Sequence, residues 1–83
     1  MTEEKRIAGY RKDLDKIDDK LVELIEKRIA AAQKIVSKKK LFGLSLEDPG
    51  REDQIIKRLT TDKKTAPLVE EIFRRIFSWV KSL

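Results

Sequence analysis

Residues 3–41 read EEKRIAGYRKDLDKIDDKLVELIEKRIAAAQKIVSKKKL, and the spacing of their apolar side chains decides the fold. Ile7, Tyr10, Leu14, Ile17, Leu21 and Leu24, then Ala31 and Ile35, recur at alternating intervals of three and four, which draws one continuous stripe along an α-helix. Arg28 falls in the same stripe. No proline interrupts the segment, and Gly43 stands just past it, where a left-handed terminating residue is favoured. At ~1.5 Å per residue, roughly 38 residues make a helix near 57 Å long, about twice the diameter of a compact globule of this chain length. Such a helix cannot be covered within its own domain. Its stripe must be buried by another copy or another protein, and the simplest closed solution is a two-fold homodimer with the long helices antiparallel or crossed.

Outward from this helix, residues 42–47 read as a loop. Asp48-Pro49 then supplies an N-cap carboxylate followed by proline at the first helical position, predicting a second helix over about 48–61. Its stripe is Glu52, Ile55, Ile56 and Leu59, with Glu52 on the inward edge. Thr60 to Lys64 is polar and turn-like. Thr65 is placed to cap a third helix over about 66–83, with Ala66 and Pro67 in its first turn and Glu70 and Glu71 near the positive end of its dipole. Leu68, Val69, Ile72, Phe73, Ile76, Phe77 and Val80 form its apolar face. The expected fold is all-α, three helices per chain in one domain, intertwined as an antiparallel helical homodimer.

Composition agrees. The 83 residues are 40% hydrophobic and 42% charged, with three Gly and two Pro, a balance that suits helices with solvated outer faces and is poor in turn residues for a β fold. So short a chain buries a modest core, which is a second reason to expect oligomerisation. With no Cys and no His, disulfides, zinc sites with N or S ligands, thiol nucleophiles and Ser-His-Asp triads are excluded. The charged N-terminal residues and the lack of any apolar run of ~20 residues point away from a signal peptide or membrane span and toward the cytoplasm. Scarce Gln and Met and absent Asn, beside abundant Lys, Glu, Arg and Ile, hint at a thermophilic source.

Twenty Lys+Arg against 15 Asp+Glu leave a formal charge of +5, a bias that suits nucleic acid, acidic membranes or a small polyanion without choosing among them. Particular cations choose better. An arginine inside an apolar stripe, such as Arg28, requires a carboxylate, a ligand anion or a route to water. Lys39, eleven positions on, projects within about 20° of the same face some 16 Å along the axis, so the two can converge on one small dianion. Arg11 precedes Arg28 by about 26 Å, too far to share a ligand in one chain but not in an antiparallel dimer. Asp48, Arg51 and Glu52 cluster where amide donors, a guanidinium and two acceptors could hold a polyhydroxylated acid. Taken singly, each cation is equally an ordinary surface or ion-paired residue, and capping alone explains Asp48.

Together, Arg11, Arg28, Lys39, Asp48, Arg51 and Glu52 resemble the active-site signature of the all-helical chorismate mutases. The resemblance runs through Tyr10-Arg11, Leu14-Asp15-Lys16-Ile17-Asp18, Leu21 to Arg28, Lys39, Asp48-Pro49-Gly50-Arg51-Glu52 and Ile72-Phe73, and its specificity lies in their order and spacing. It implies a domain-swapped dimer with two equivalent sites, each completed by an arginine from the partner's first helix. By that resemblance, Arg28 and the partner's Arg11 clamp the two carboxylates of chorismate, and Arg51 assists the anion-binding wall. Asp48 and Glu52 take hydrogen bonds involving the ring hydroxyl, with Glu52 protonated near the ether oxygen as one option, and Lys39 meets that oxygen. The implied reaction is an intramolecular Claisen rearrangement to prephenate in phenylalanine and tyrosine biosynthesis, needing no cofactor and no metal, with neither nucleic acid nor membrane as partner.

The family's third helix usually supplies a Ser and, four residues later, a Gln or Glu facing the ether oxygen. Here Val80 stands at the first position, and the second falls beyond Leu83. A chain cut short, a shifted third helix or a weak catalyst would each account for this, with Ser78 and Ser82 as substitutes. Isochorismate-pyruvate lyases share the arginine and lysine scaffold, and Trp79 resembles their aromatic third helix, but Asp48 and Glu52 favour the mutase. A basic helical dimer binding nucleic acid or a partner helix through Lys38 to Lys40 and the arginines of the third helix is the non-enzymatic alternative. It leaves Arg28 and Glu52 on inward faces unexplained and has few aromatics for base stacking.

Overall fold

The computed structural model describes residues 2–83, which form three α-helices and, among the described residues, no strand: α1 (Glu3–Leu41), α2 (Pro49–Leu59) and α3 (Ala66–Ser82). The all-α expectation holds. The chain divides into two compact units, Met1–Ala30 and Ala31–Leu83, each taken by itself below.

The described part of the first unit is helical from Glu3 onward. Acidic Glu3 and Glu4 open its first turn, where the unpaired amides carry partial positive charge. Its apolar side chains are not buried. Ile7, Tyr10, Leu14, Ile17, Leu21 and Leu24 are between 45% and 66% exposed, and Arg28 and Ile29 are half-buried.

In the second unit, α1 ends in a Schellman motif. Gly43 adopts φ +68°, the Leu44 amide donates to the Lys39 carbonyl at 2.8 Å and the Gly43 amide to the Lys40 carbonyl at 3.3 Å. A left-handed glycine thus satisfies carbonyls the helix would leave open and fixes the turn that carries Lys39. Ala31 and Ile35, the last members of the expected stripe, are exposed like its other apolar members, Ile35 at 60%, while Ala32, Val36 and Lys39 are half-buried.

α2 packs on α3. Asp48 caps α2 by accepting from the Arg51 amide at 3.2 Å, with Pro49 at the first helical position. Ile55 and Ile56 of α2 and Phe77 of α3 form the core, flanked by Leu59 and by Phe73, whose ring meets Phe77 edge-on at 6.2 Å. Val80 is buried as well. Two details of α3 differ from expectation. Thr65 occupies the N-cap without a side-chain hydrogen bond. Asp62 organises the turn instead, its carboxylate accepting from the Lys64 amide at 2.9 Å and its carbonyl from the Ala66 amide at 2.9 Å. Glu70 and Glu71 lie beyond the first turn, which holds no acid. Leu68 and Ile72 are exposed rather than in the apolar face, because residues 68 to 80 spread apolar side chains over an arc wider than one neighbouring helix can cover.

With so few fully buried side chains, each carries much of the folding energy. Phe77→Ala should lower stability by about 3–5 kcal/mol, enough to abolish cooperative unfolding in a urea titration followed by circular dichroism. A midpoint within error of the parent's would contradict this account of the core.

Candidate active site

The sequence-predicted residues of the second unit meet at the start of α2. Lys39 reaches the region from the last turn of α1, its Nζ 4.0 Å from Asp48 Oδ2. That separation is an ion pair at the limit of direct contact, and Lys39 is half-buried while Asp48 is exposed. Asp48 does two jobs: Oδ1 caps α2 through the Arg51 amide and Oδ2 faces Lys39. The cap therefore aligns the helix terminus with a cation from another helix. Arg51 is exposed in the first turn of α2.

Glu52, one turn after Asp48 on the same face, is the most sheltered acid of the group, its side chain 20% exposed. Burying a carboxylate is costly without compensating charge, and α3 supplies that charge. Lys81 Nζ donates to Glu52 Oε2 at 3.1 Å and to Glu47 Oε2 at 3.0 Å. Arg74 Nη1 lies 3.9 Å from Glu52 Oε1, while its other nitrogens donate to Asp53 at 3.0 Å and Glu70 at 3.3 Å. Hydrogen bonds to Glu47 and then to Glu52 raise the Lys81 pKa above the ordinary lysine value. The Asp53 bond, ahead of that to Glu70, likewise raises Arg74. The centre of the site is thus a pair of carboxylates, Asp48 and Glu52, flanked by the cations Lys39 and Lys81, with Arg74 alongside.

Neither Arg74 nor Lys81 is among the site residues expected from the sequence, where the third helix's arginines enter only as part of a nucleic-acid surface. The signal was present: the two are seven residues apart, so they share one side of α3, and an acid on the inward edge of α2 demands a cation opposite. Of the other predicted residues, Arg11 and Arg28 belong to the first unit, Arg11 exposed and Arg28 half-buried. Seventeen positions of uninterrupted helix separate them, about 26 Å, so a single chain does not bring them together. At the third helix, Val80 is a core residue and the Ser82 hydroxyl donates to the Trp79 carbonyl at 2.7 Å. Ser78 is exposed. Among the described residues, no cluster of His, Cys, Asp and Glu is arranged to hold a metal, and no helix is long and apolar enough to cross a membrane.

The chemistry available is that of anion and hydroxyl recognition: cations from two helices, two acceptors on one turn, and the amides of a helix N-terminus. The sequence model of the family described as chorismate mutase type II matches residues 10–83. A chorismate mutase of Methanocaldococcus jannaschii is 33% identical over 72 residues, which span 87% of this chain and 73% of that protein. No solved structure gives a significant match.

Because the folded pKa of Lys81 is raised, its proton stabilises the fold fully at neutral pH, and the contribution is lost as pH rises through the raised value. The stability gap between the parent and Lys81→Met, read from urea unfolding, should therefore be largest near neutrality and shrink in strongly alkaline buffer. A gap that stays constant across that range would show that the ion pairs contribute nothing.

Proposed function

The chain belongs to the chorismate mutase type II family, and from that premise we propose how its own side chains convert chorismate to prephenate. In the rearrangement the ether carbon–oxygen bond breaks as a carbon–carbon bond forms within the same molecule. No proton, electron or group passes to the protein. The protein's task is then to hold the flexible enolpyruvyl arm over the ring and to place positive charge where negative charge develops on the ether oxygen.

Lys39 is the residue proposed for that oxygen. The observation that carries the proposal is its position: a half-buried ammonium 4.0 Å from Asp48, close enough to be oriented and too far to be fully consumed by the pair. Asp48 and Glu52 present acceptors on one face of α2 for the ring hydroxyl, and Arg51 adds cationic character beside them. Arg28 is proposed to grip one carboxylate, bidentately where geometry permits. The second carboxylate falls to the partner's Arg11, since no arrangement of one straight helix brings both arginines to one small ligand. The homodimer belongs to this proposal, supported by the exposed stripe from Ile7 to Leu24, as does a cytoplasmic setting.

The isochorismate-pyruvate lyase and the nucleic-acid-binding dimer have no observation in their favour beyond those already weighed. Prephenate as the product of incubation with chorismate supports the proposal. Salicylate and pyruvate from isochorismate, with chorismate left intact, would overturn it.

Lys39→Ala is expected to lower kcat by roughly 10²–10³, the loss typical of removing one oxyanion donor. Steady-state turnover checks this, and a near-parental kcat would remove Lys39 from the mechanism. The shared site has its own test. Mixing Arg11→Ala chains with Lys39→Ala chains should yield heterodimers with one intact and one doubly damaged site, and so recover part of the activity. No recovery after verified subunit exchange would contradict the cross-chain assignment.

A further inference from the structure

Lys81 is as sheltered as Lys39, its side chain 24% exposed, and its single ammonium joins the last turn of α3, the loop before α2 and the first turn of α2, through Glu47 at 3.0 Å and Glu52 at 3.1 Å. The loop it grips is short and already constrained. Gly43 turns the chain, and the Ser45 hydroxyl accepts from the Glu47 amide at 3.1 Å. Glu47 immediately precedes Asp48, so fixing Glu47 fixes the residue that caps α2 and faces Lys39.

Glu52 has two possible cationic partners, and the geometry separates them. Arg74 is 3.9 Å away and already donates to Asp53 and Glu70, whereas Lys81 makes a charge-assisted hydrogen bond, the stronger and more directional contact. Without Lys81 the carboxylate would be left to swing toward Arg74. We propose that Lys81 is a positioning residue for the rearrangement, holding the Glu52 carboxylate in its working orientation while anchoring the loop that delivers Asp48. The proposal rests on the reading of Glu52 as a substrate contact. It also assigns a role to the end of α3, where the first family position holds the core residue Val80.

The test compares Lys81→Met, Lys81→Arg, Glu52→Gln and the double variant Lys81→Met/Glu52→Gln in steady-state chorismate turnover, with thermal unfolding of each. Misplacement of one contact predicts that Lys81→Met loses about tenfold in kcat with KM changed less than about twofold, and that Lys81→Arg, which keeps the cation, recovers most of the loss. In the Glu52→Gln background, Lys81→Met should cost nothing further, since its effect runs through Glu52. Should the methionine variant fail to fold, Lys81→Gln, which keeps a donor without charge, is expected to lose at least about fivefold on the same grounds. A lowered unfolding temperature with parental kcat would overturn the proposal, as would an undiminished loss in the Glu52→Gln background. Parental turnover in Lys81→Met beside an impaired Glu52→Gln would refute Lys81 alone. Parental turnover in Glu52→Gln would refute the reading of Glu52 and the role of Lys81 with it.

Discussion

An apolar stripe left in water governs everything else about this chain. From Ile7 to Leu24 the side chains that should be inside are about half exposed, and fully burying each is worth about 1.5–3 kcal/mol. Covering the whole stripe would return several kcal/mol, comparable to the entire stability of a small domain. The in-chain core is small by comparison: Ile55, Ile56, Phe77 and Val80 are its buried members. The exposed stripe supports the proposed homodimer. In a two-fold dimer the same patch serves on both subunits, and the proposed site follows from that constraint, because it alone lets an arginine at one end of a long helix act beside residues from the other end.

Within the second unit, the start of α2 is where structural and chemical demands coincide. Asp48 is required as a cap, and the cap leaves one carboxylate oxygen toward Lys39. Glu52 must be sheltered because it lies on the inward edge beside Ile55 and Ile56, and sheltering it calls for Lys81. Capping and pairing thus hold the two carboxylates that the proposal assigns to the ring hydroxyl. This is the condition under which electrostatic stabilisation costs no reorganisation at the moment of reaction. Family membership supplies the reaction, and the geometry supplies a physical reason for a chain without His or Cys to perform it.

Much of this was legible in the residues. The stripe, the proline-free run and Gly43 defined α1, and Asp48-Pro49 marked the start of α2, because each signal acts through local backbone geometry. Thr65 was credited with a cap that Asp62 replaces by organising the preceding turn. Lys81 and Arg74 are not legible in the same way, because their importance lies in the packing of α3 against α2, which the charges on one helix face do not reveal. Glu52 was the clue, since an acid on an inward edge implies a cation on the neighbouring element.

The exposed stripe from Ile7 to Leu24 is proposed to be covered by a second copy of this chain. Sedimentation equilibrium of the whole protein, across concentrations that bracket those of the turnover assay, tests it most directly. A single species of twice the chain mass is expected wherever activity is found, with specific activity falling as dilution drives dissociation. A fully active species of single-chain mass would contradict it.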